Sequence, residues 1–166
     1  MGFWDSWLEA RDGILSAIKD ASDSYPDYEN VIVGHSLGGA IATIAAGQLR
    51  TEGYPAGLFT FGSPRVGNPT TAEYISAQDG EQYRVTHTDD LVPKLPPTWL
   101  GYEHVSPEYW ITSDTNVTVT TSDIEVFTGF NYTGGNADTS TSSTEAHSWY
   151  FNHISACAGD IDFEFK

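Results

Sequence analysis

At 166 residues, 39% of them hydrophobic and 18% charged, the chain is long enough to close a core and too apolar to be disordered. Seven basic residues against 23 acidic ones give a net charge of −16, which argues against nucleic acid or an anionic membrane surface as a partner. No apolar stretch is long enough to span a bilayer.

Residues 4–21 place Trp4, Trp7, Leu8, Ile14, Leu15, Ile18 and Ala21 at helical spacing, with Ser6 and Glu9 as a capping box at the start. Mixed charge over this segment does not match a signal peptide. Residues 30–35 read as a strand and 37–50 as a helix. The Gly53-Tyr54-Pro55 turn leads to a second buried strand over 56–61. A loop over 62–69, a short helix over 70–77 and a third strand over 82–87 follow. Strand–helix alternation predicts right-handed crossovers and a mainly parallel sheet. After residue 100, the stretches 104–112, 117–120 and 124–127 read as hairpins on the sheet edge. Residues 132–146 read as loop, 147–153 as a short helix, and the alternating 161–165 as a strand. No repeat or internal boundary divides 1–166, which is read as a single domain.

The junction of the first strand and second helix carries chemistry. Val31-Ile32-Val33 runs into Gly34-His35-Ser36-Leu37-Gly38, and a run of small apolar residues follows. Gly-x-Ser-x-Gly alone is a weak signal. Between a β-branched strand and an alanine-rich helix it is the form of a nucleophile elbow, with a serine exposed on a strained turn. Leu37 then offers its backbone N–H at a helix N-terminus, where a developing oxyanion is favoured. The bland alternative is a glycine-rich or phosphate-binding turn. No lysine follows as a P-loop requires, and Gly-x-Gly-x-x-Gly is absent.

A serine hydroxyl needs a base, and the base needs an orienting acid. In folds with this elbow the order is serine, acid, histidine. Asp89 and Asp90 directly follow the third strand, at the end where such sheets put their chemistry, and either can serve as the acid. Of the five histidines, His35 and His87 precede the acid in or at strands, and His104 lies inside a strand-like run. His147 and His153 remain, with His147 favoured because it follows a long polar loop. Scattered histidines give no metal site, and no cofactor motif is present. The single Cys157 has no internal partner; it is a small buried hydrophobe or half of a bridge. Asn116-Val117-Thr118 and Asn131-Tyr132-Thr133 are sequons of the kind found in secreted glycoproteins.

These stretches together resemble the fungal class 3 lipases, a family that includes triacylglycerol lipases and some feruloyl esterases. The matching segments are Gly34-His35-Ser36-Leu37-Gly38-Gly39-Ala40, Phe61-Gly62-Ser63-Pro64-Arg65-Val66-Gly67-Asn68 and residues 87–97, followed by 102–110 and 146–151. The resemblance implies an α/β-hydrolase with a mainly parallel central sheet, helices on both faces and an acyl-enzyme mechanism without cofactor. It places the nucleophile on Ser36, the acid on Asp90, the base on His147 and one oxyanion donor on the Leu37 N–H. It also implies secretion and a neutral ester substrate, triacylglycerol first and feruloyl ester second. Family members carry further outer strands, a lid and a second oxyanion donor before the point that matches Gly2-Phe3, so the chain is expected to lack them. Cys157 is implied to pair with a cysteine in that region. Such a chain is expected to expose a sheet edge and self-associate through it. The rival from another class is a non-catalytic hydrolase-fold module.

Overall fold

The computed structural model describes residues 2–130 and 132–154. Cys157, the Asn131 sequon position and the expected 161–165 strand lie outside the described residues.

Helix α1 (Phe3–Ser24) begins one turn earlier than the capping-box reading predicts. The Ser6 N–H donates to Gly2 O at 3.1 Å, so the first turn closes on Gly2 and Ser6 lies inside the helix rather than at its cap. The anchor of α1 is Trp7, fully buried, whose indole Nε1 donates to Gln48 Oε1 at 2.6 Å. That contact seats α1 on helix α2 (Leu37–Thr51) rather than on the sheet.

The sheet is built from β1 (Asn30–His35), β2 (Ala56–Phe61), β3 (Gln82–His87), β4 (Glu108–Ile111) and β5 (Ile124–Phe127), in that spatial order. β1 to β4 pair in parallel and β5 runs antiparallel to β4. This is the mainly parallel α/β-hydrolase sheet that the sequence predicts. β4 is not an edge hairpin, as expected for 104–112, but a fourth parallel strand from which β5 folds back. Residues 117–120 form no strand.

Helix α2 packs on β1 and β2, and the short α3 (Pro69–Ser76) packs on α2. Small residues let α2 lie close: Ala42 and Ala46 bury against Leu58, with Ile32 beside them. On the opposite face Val85, Ile111 and Tyr150 form a second cluster with Phe61, Tyr83 and Tyr109 packed around it. Toward β1 that face opens, leaving Val31 and Val33 58% and 63% exposed. The helix expected over 147–153 does not form. The chain makes a 3-10 turn at Ala146–Ser148, then β6 (Trp149–Tyr150) hairpins onto β7 (Asn152–His153). Phe151 at the bend has φ 59°, which a right-handed helix excludes.

Candidate active site

The elbow is a steric construction. Ser36 follows β1 directly and has φ 55° and ψ −125°, an uncommon backbone for a residue with a Cβ. Its N–H donates to Phe61 O at 3.0 Å, while its own carbonyl accepts from the N–H groups of Gly39 and Ala40. Strand and helix approach so closely that a Cβ on Gly34 would stand 2.3 Å from Gly38 O, so only glycine fits there. The Leu37 N–H opens helix α2 at an exposed position, where the helix dipole favours negative charge.

β3 leads to the candidate acid. Asp90 is fully buried just past the C-terminal end of that strand. Its Oδ1 accepts from Val92 N–H at 2.9 Å, and its Oδ2 accepts from Tyr150 Oη at 2.5 Å. His147 Nδ1 stands 3.0 and 2.9 Å from the two carboxylate oxygens. A carboxylate only accepts, so the His147 proton on this side is on Nδ1, and Nε2 is left as the basic nitrogen. Nε2 is buried and has no hydrogen-bond partner among the described residues. No hydrogen bond joins it to Ser36 among those residues. The ring of His35, next in sequence to the serine, lies 4.5 Å from the His147 ring. Burial, with the charge of Asp90 and its hydrogen bond, pushes the Tyr150 phenol well above its ordinary pKa of 10.0, so it stays a donor to the carboxylate. Burial also lowers His35 from 6.5, against the raising effect of its bond to the His147 carbonyl.

Of the residues that chain order leaves open, two meet. Asp90, not Asp89, meets His147; Asp89 contributes its backbone carbonyl to the Ser143 N–H at 2.9 Å. His153 is exposed on β7. His104 is buried with Nε2 2.7 Å from Pro93 O.

Below the acid lies a buried polar cluster. Arg84 and Glu108 face each other across β3 and β4 at 3.5 Å, with side chains only 2% and 1% exposed. Glu108 also accepts from Thr86 Oγ1 and Tyr132 Oη, both at 2.5 Å. Asn136 ties this cluster to the site: its N–H reaches Glu108 at 3.4 Å and its Nδ2 donates to Asp90 O at 2.9 Å. Burial works against the Glu108 charge, but Arg84 and these donors outweigh it and hold the carboxyl below its ordinary 4.5.

The family model of lipase (class 3) matches residues 1–99. The chain is 52% identical over 163 residues to the secreted mono- and diacylglycerol lipase A of Penicillium cyclopium, covering 96% of this chain and 53% of that protein. This chain belongs to the class 3 lipases. It is 44% identical to secreted mono- and diacylglycerol lipase 1 of Fusarium solani, over 95% of this chain and 47% of the relative. A solved structure described as "an unusual buried polar cluster in a family of fungal lipases" superposes with a TM-score of 0.89 at 52% identity, covering 95% of this chain and 59% of that one. The Aspergillus oryzae mono- and diacylglycerol lipase structure superposes with a TM-score of 0.88 at 44% identity, over 93% and 59%. The chain thus spans about half the length of the curated relatives it matches.

Sequence reasoning about this class 3 lipase missed Tyr150, Gly62 and the polar cluster. The helical spacing of 147–153 hides Tyr150 as one more residue of a short helix. Gly62, at φ 58°, leaves room for the acid–base pair: a Cβ there would meet Asp90 Oδ2 and His147 Nδ1, each at 2.9 Å. Its signal was the Gly-Ser-Pro sequence directly after β2.

Proposed function

We propose that this chain carries the acyl-transfer centre of a secreted carboxylic ester hydrolase acting on neutral acylglycerols. Ser36 Oγ attacks the ester carbonyl and passes its proton to His147 Nε2. Asp90 stabilises the resulting imidazolium through Nδ1. The carbonyl oxygen becomes an oxyanion and accepts from the Leu37 N–H. As the tetrahedral intermediate collapses, the bond to the leaving alcohol breaks and His147 returns the proton to it. Water activated by the same Nε2 then releases the acid and restores the serine. The observation that carries this reading is the buried His147 ring, held on both Asp90 oxygens through Nδ1 with Nε2 left unpaired beside the elbow. The names of the Penicillium and Fusarium relatives favour mono- and diacylglycerols over the triacylglycerol implied by the wider resemblance. The net charge of −16 suits a neutral lipid rather than an anionic one.

The test is covalent labelling with a serine-reactive alkyl phosphonate, read by peptide mass spectrometry. One adduct is expected on Ser36, and Ser36→Ala removes it together with turnover of a short-chain nitrophenyl ester. An unlabelled wild-type chain would overturn the reading in favour of a non-catalytic module.

A further inference from the structure

Two consecutive carbonyls on the turn that carries His147 each meet a histidine ring from a different strand. His35 ends β1, and its Nε2 lies 2.9 Å from the carbonyl of His147. His87 ends β3, and its Nδ1 lies 3.0 Å from the carbonyl of Ala146. Carbonyl oxygens only accept, so His35 carries a proton on Nε2; His87 meets a carbonyl at each ring nitrogen, and its bond to Ala146 O requires a proton on Nδ1. The opposite nitrogen of His87 faces Ser113 O at 2.8 Å, and the ring is fully buried. Tyr150 packs edge-on against both rings, at 5.8 Å from His35 and 5.9 Å from His87.

The turn between them has little stiffness of its own. It is three residues of 3-10 helix, Ala146–Ser148, entered from a long polar loop. Its local bonds are Ser148 N–H and Ser148 Oγ to Glu145 O at 3.0 and 2.8 Å, Ala146 N–H to Ser143 Oγ at 3.1 Å, and Trp149 N–H to Ala146 O. The sheet ends supply what the turn lacks, because β1 and β3 are both locked in the parallel ladder.

We propose that His35 and His87 are positioning residues that clamp the backbone of the 146–147 turn at two points and so fix where His147 Nε2 stands. One histidine sits beside the nucleophile in sequence and the other lies three residues before the acid, so each element that bears a reacting group also grips the base. The catalytic consequence rests on the acyl-transfer reading; the clamp itself does not. Loss of the His35 donor removes the sheet's hold on the His147 carbonyl, and loss of the His87 donor leaves the Ala146 carbonyl only its bond from Trp149 N–H within the turn; either lets the ring drift, and a misplacement of about 1 Å lowers reactivity about 10²-fold.

The experiment uses the whole chain and four variants. Leucine at either position removes the donor. His35→Gln keeps an N–H near Nε2, and His87→Asn keeps one near Nδ1. Nitrogen-15 NMR of the wild type is expected to show protons on His35 Nε2 and His87 Nδ1, with a downfield His147 Nδ1–H bonded to Asp90. His35→Leu and His87→Leu are expected to lose that downfield resonance and to slow phosphonate labelling of Ser36 about 10²-fold, while the amide variants recover most of the rate. The clamp is overturned if the leucine variants keep both resonance and rate, or if either expected ring proton is missing in the wild type. The proton assignment needs no variant, so a leucine variant that fails to fold leaves that arm decisive. A wild type that is never labelled but shows both ring protons overturns the acyl-transfer reading alone.

Discussion

Gly62→Ala places one methyl group against the acid–base pair, and its effects separate cleanly. The glycine has φ 58°, and the added Cβ would lie 2.9 Å from Asp90 Oδ2, 2.9 Å from His147 Nδ1 and 3.0 Å from His147 Cε1. Non-bonded heavy atoms settle at about 3.5–4.0 Å, so the ring and carboxylate must retreat by roughly half an ångström or more. If about 1 Å of misplacement lowers reactivity 10²-fold, this retreat predicts Ser36 labelling slowed by roughly ten-fold to 10²-fold. The left-handed backbone adds a destabilisation of about 1–2 kcal/mol for an L-residue. In a chain of this size that is a fall in Tm of about 2–8 °C. Gly101→Ala is the control, because Gly101 has φ 82° and nothing within 4 Å of its built Cβ. It carries the backbone penalty without the collision, so it should lose similar stability and keep its labelling rate. Phosphonate labelling kinetics and thermal unfolding on the three proteins measure both effects. A folded Gly62→Ala chain that labels as fast as the control would refute the collision argument.

The Arg84–Glu108 pair gives a stability cycle. Glu108→Leu strands a buried guanidinium and should lower stability by about 3–5 kcal/mol, whereas Arg84→Met with Glu108→Leu should lose clearly less. Urea unfolding reads this, and additive losses would show that the pair is not coupled. Buried His104 sets an acid limit. His104 is held well below its ordinary 6.5 by burial and then by Arg84 and Arg65, so the folded state resists protonation that the unfolded chain accepts. Stability is therefore fully present above about pH 6.5 and falls as acid is added. Glu108, held below 4.5, adds a further loss of the same sign through the carboxylate range. Tm measured from pH 8 to 4 should decline, and His104→Gln should flatten the upper part of that decline. A Tm that rises over that range would reverse the sign and sink the argument.

From residue 30 to residue 87 the predicted elements and the observed ones differ by a residue or so. Each buried strand there is a short β-branched or aromatic run, and each crossover is bounded by glycine or proline, so local pattern and tertiary need agree. Beyond residue 100 they part. Glu108 begins β4 as a buried charge, which no hydrophobic alternation announces, because its partners Arg84, Thr86 and Tyr132 come from distant positions. Residues 147–153 space their aromatics like a helix, yet Tyr150 is drawn into the sheet face by Asp90 and Phe151 bends the other way. Chain order pointed to a serine, an acid and a histidine. Order alone did not choose between Asp89 and Asp90, since two adjacent carboxylates differ only in which one the turn after β3 sends inward. His35 and His87 precede the acid and sit at strands, which argues against either as the base, and that placement is what lets them grip the turn.

The strand order also bears on how the chain reaches this state. Each strand of β1 to β5 lies beside its own neighbour in sequence. Along the parallel ladder the paired residues are 24 to 26 positions apart, as in Asn30 with Ala56, Leu58 with Gln82 and Arg84 with Glu108. None of these five strands waits for a distant one, so loop-closure entropy is met in similar small steps. A chain emerging from the ribosome would lay this sheet down in the order it is read, one crossover at a time. The elbow at the β1–α2 junction precedes the turn bearing His147, which docks onto histidines already in place.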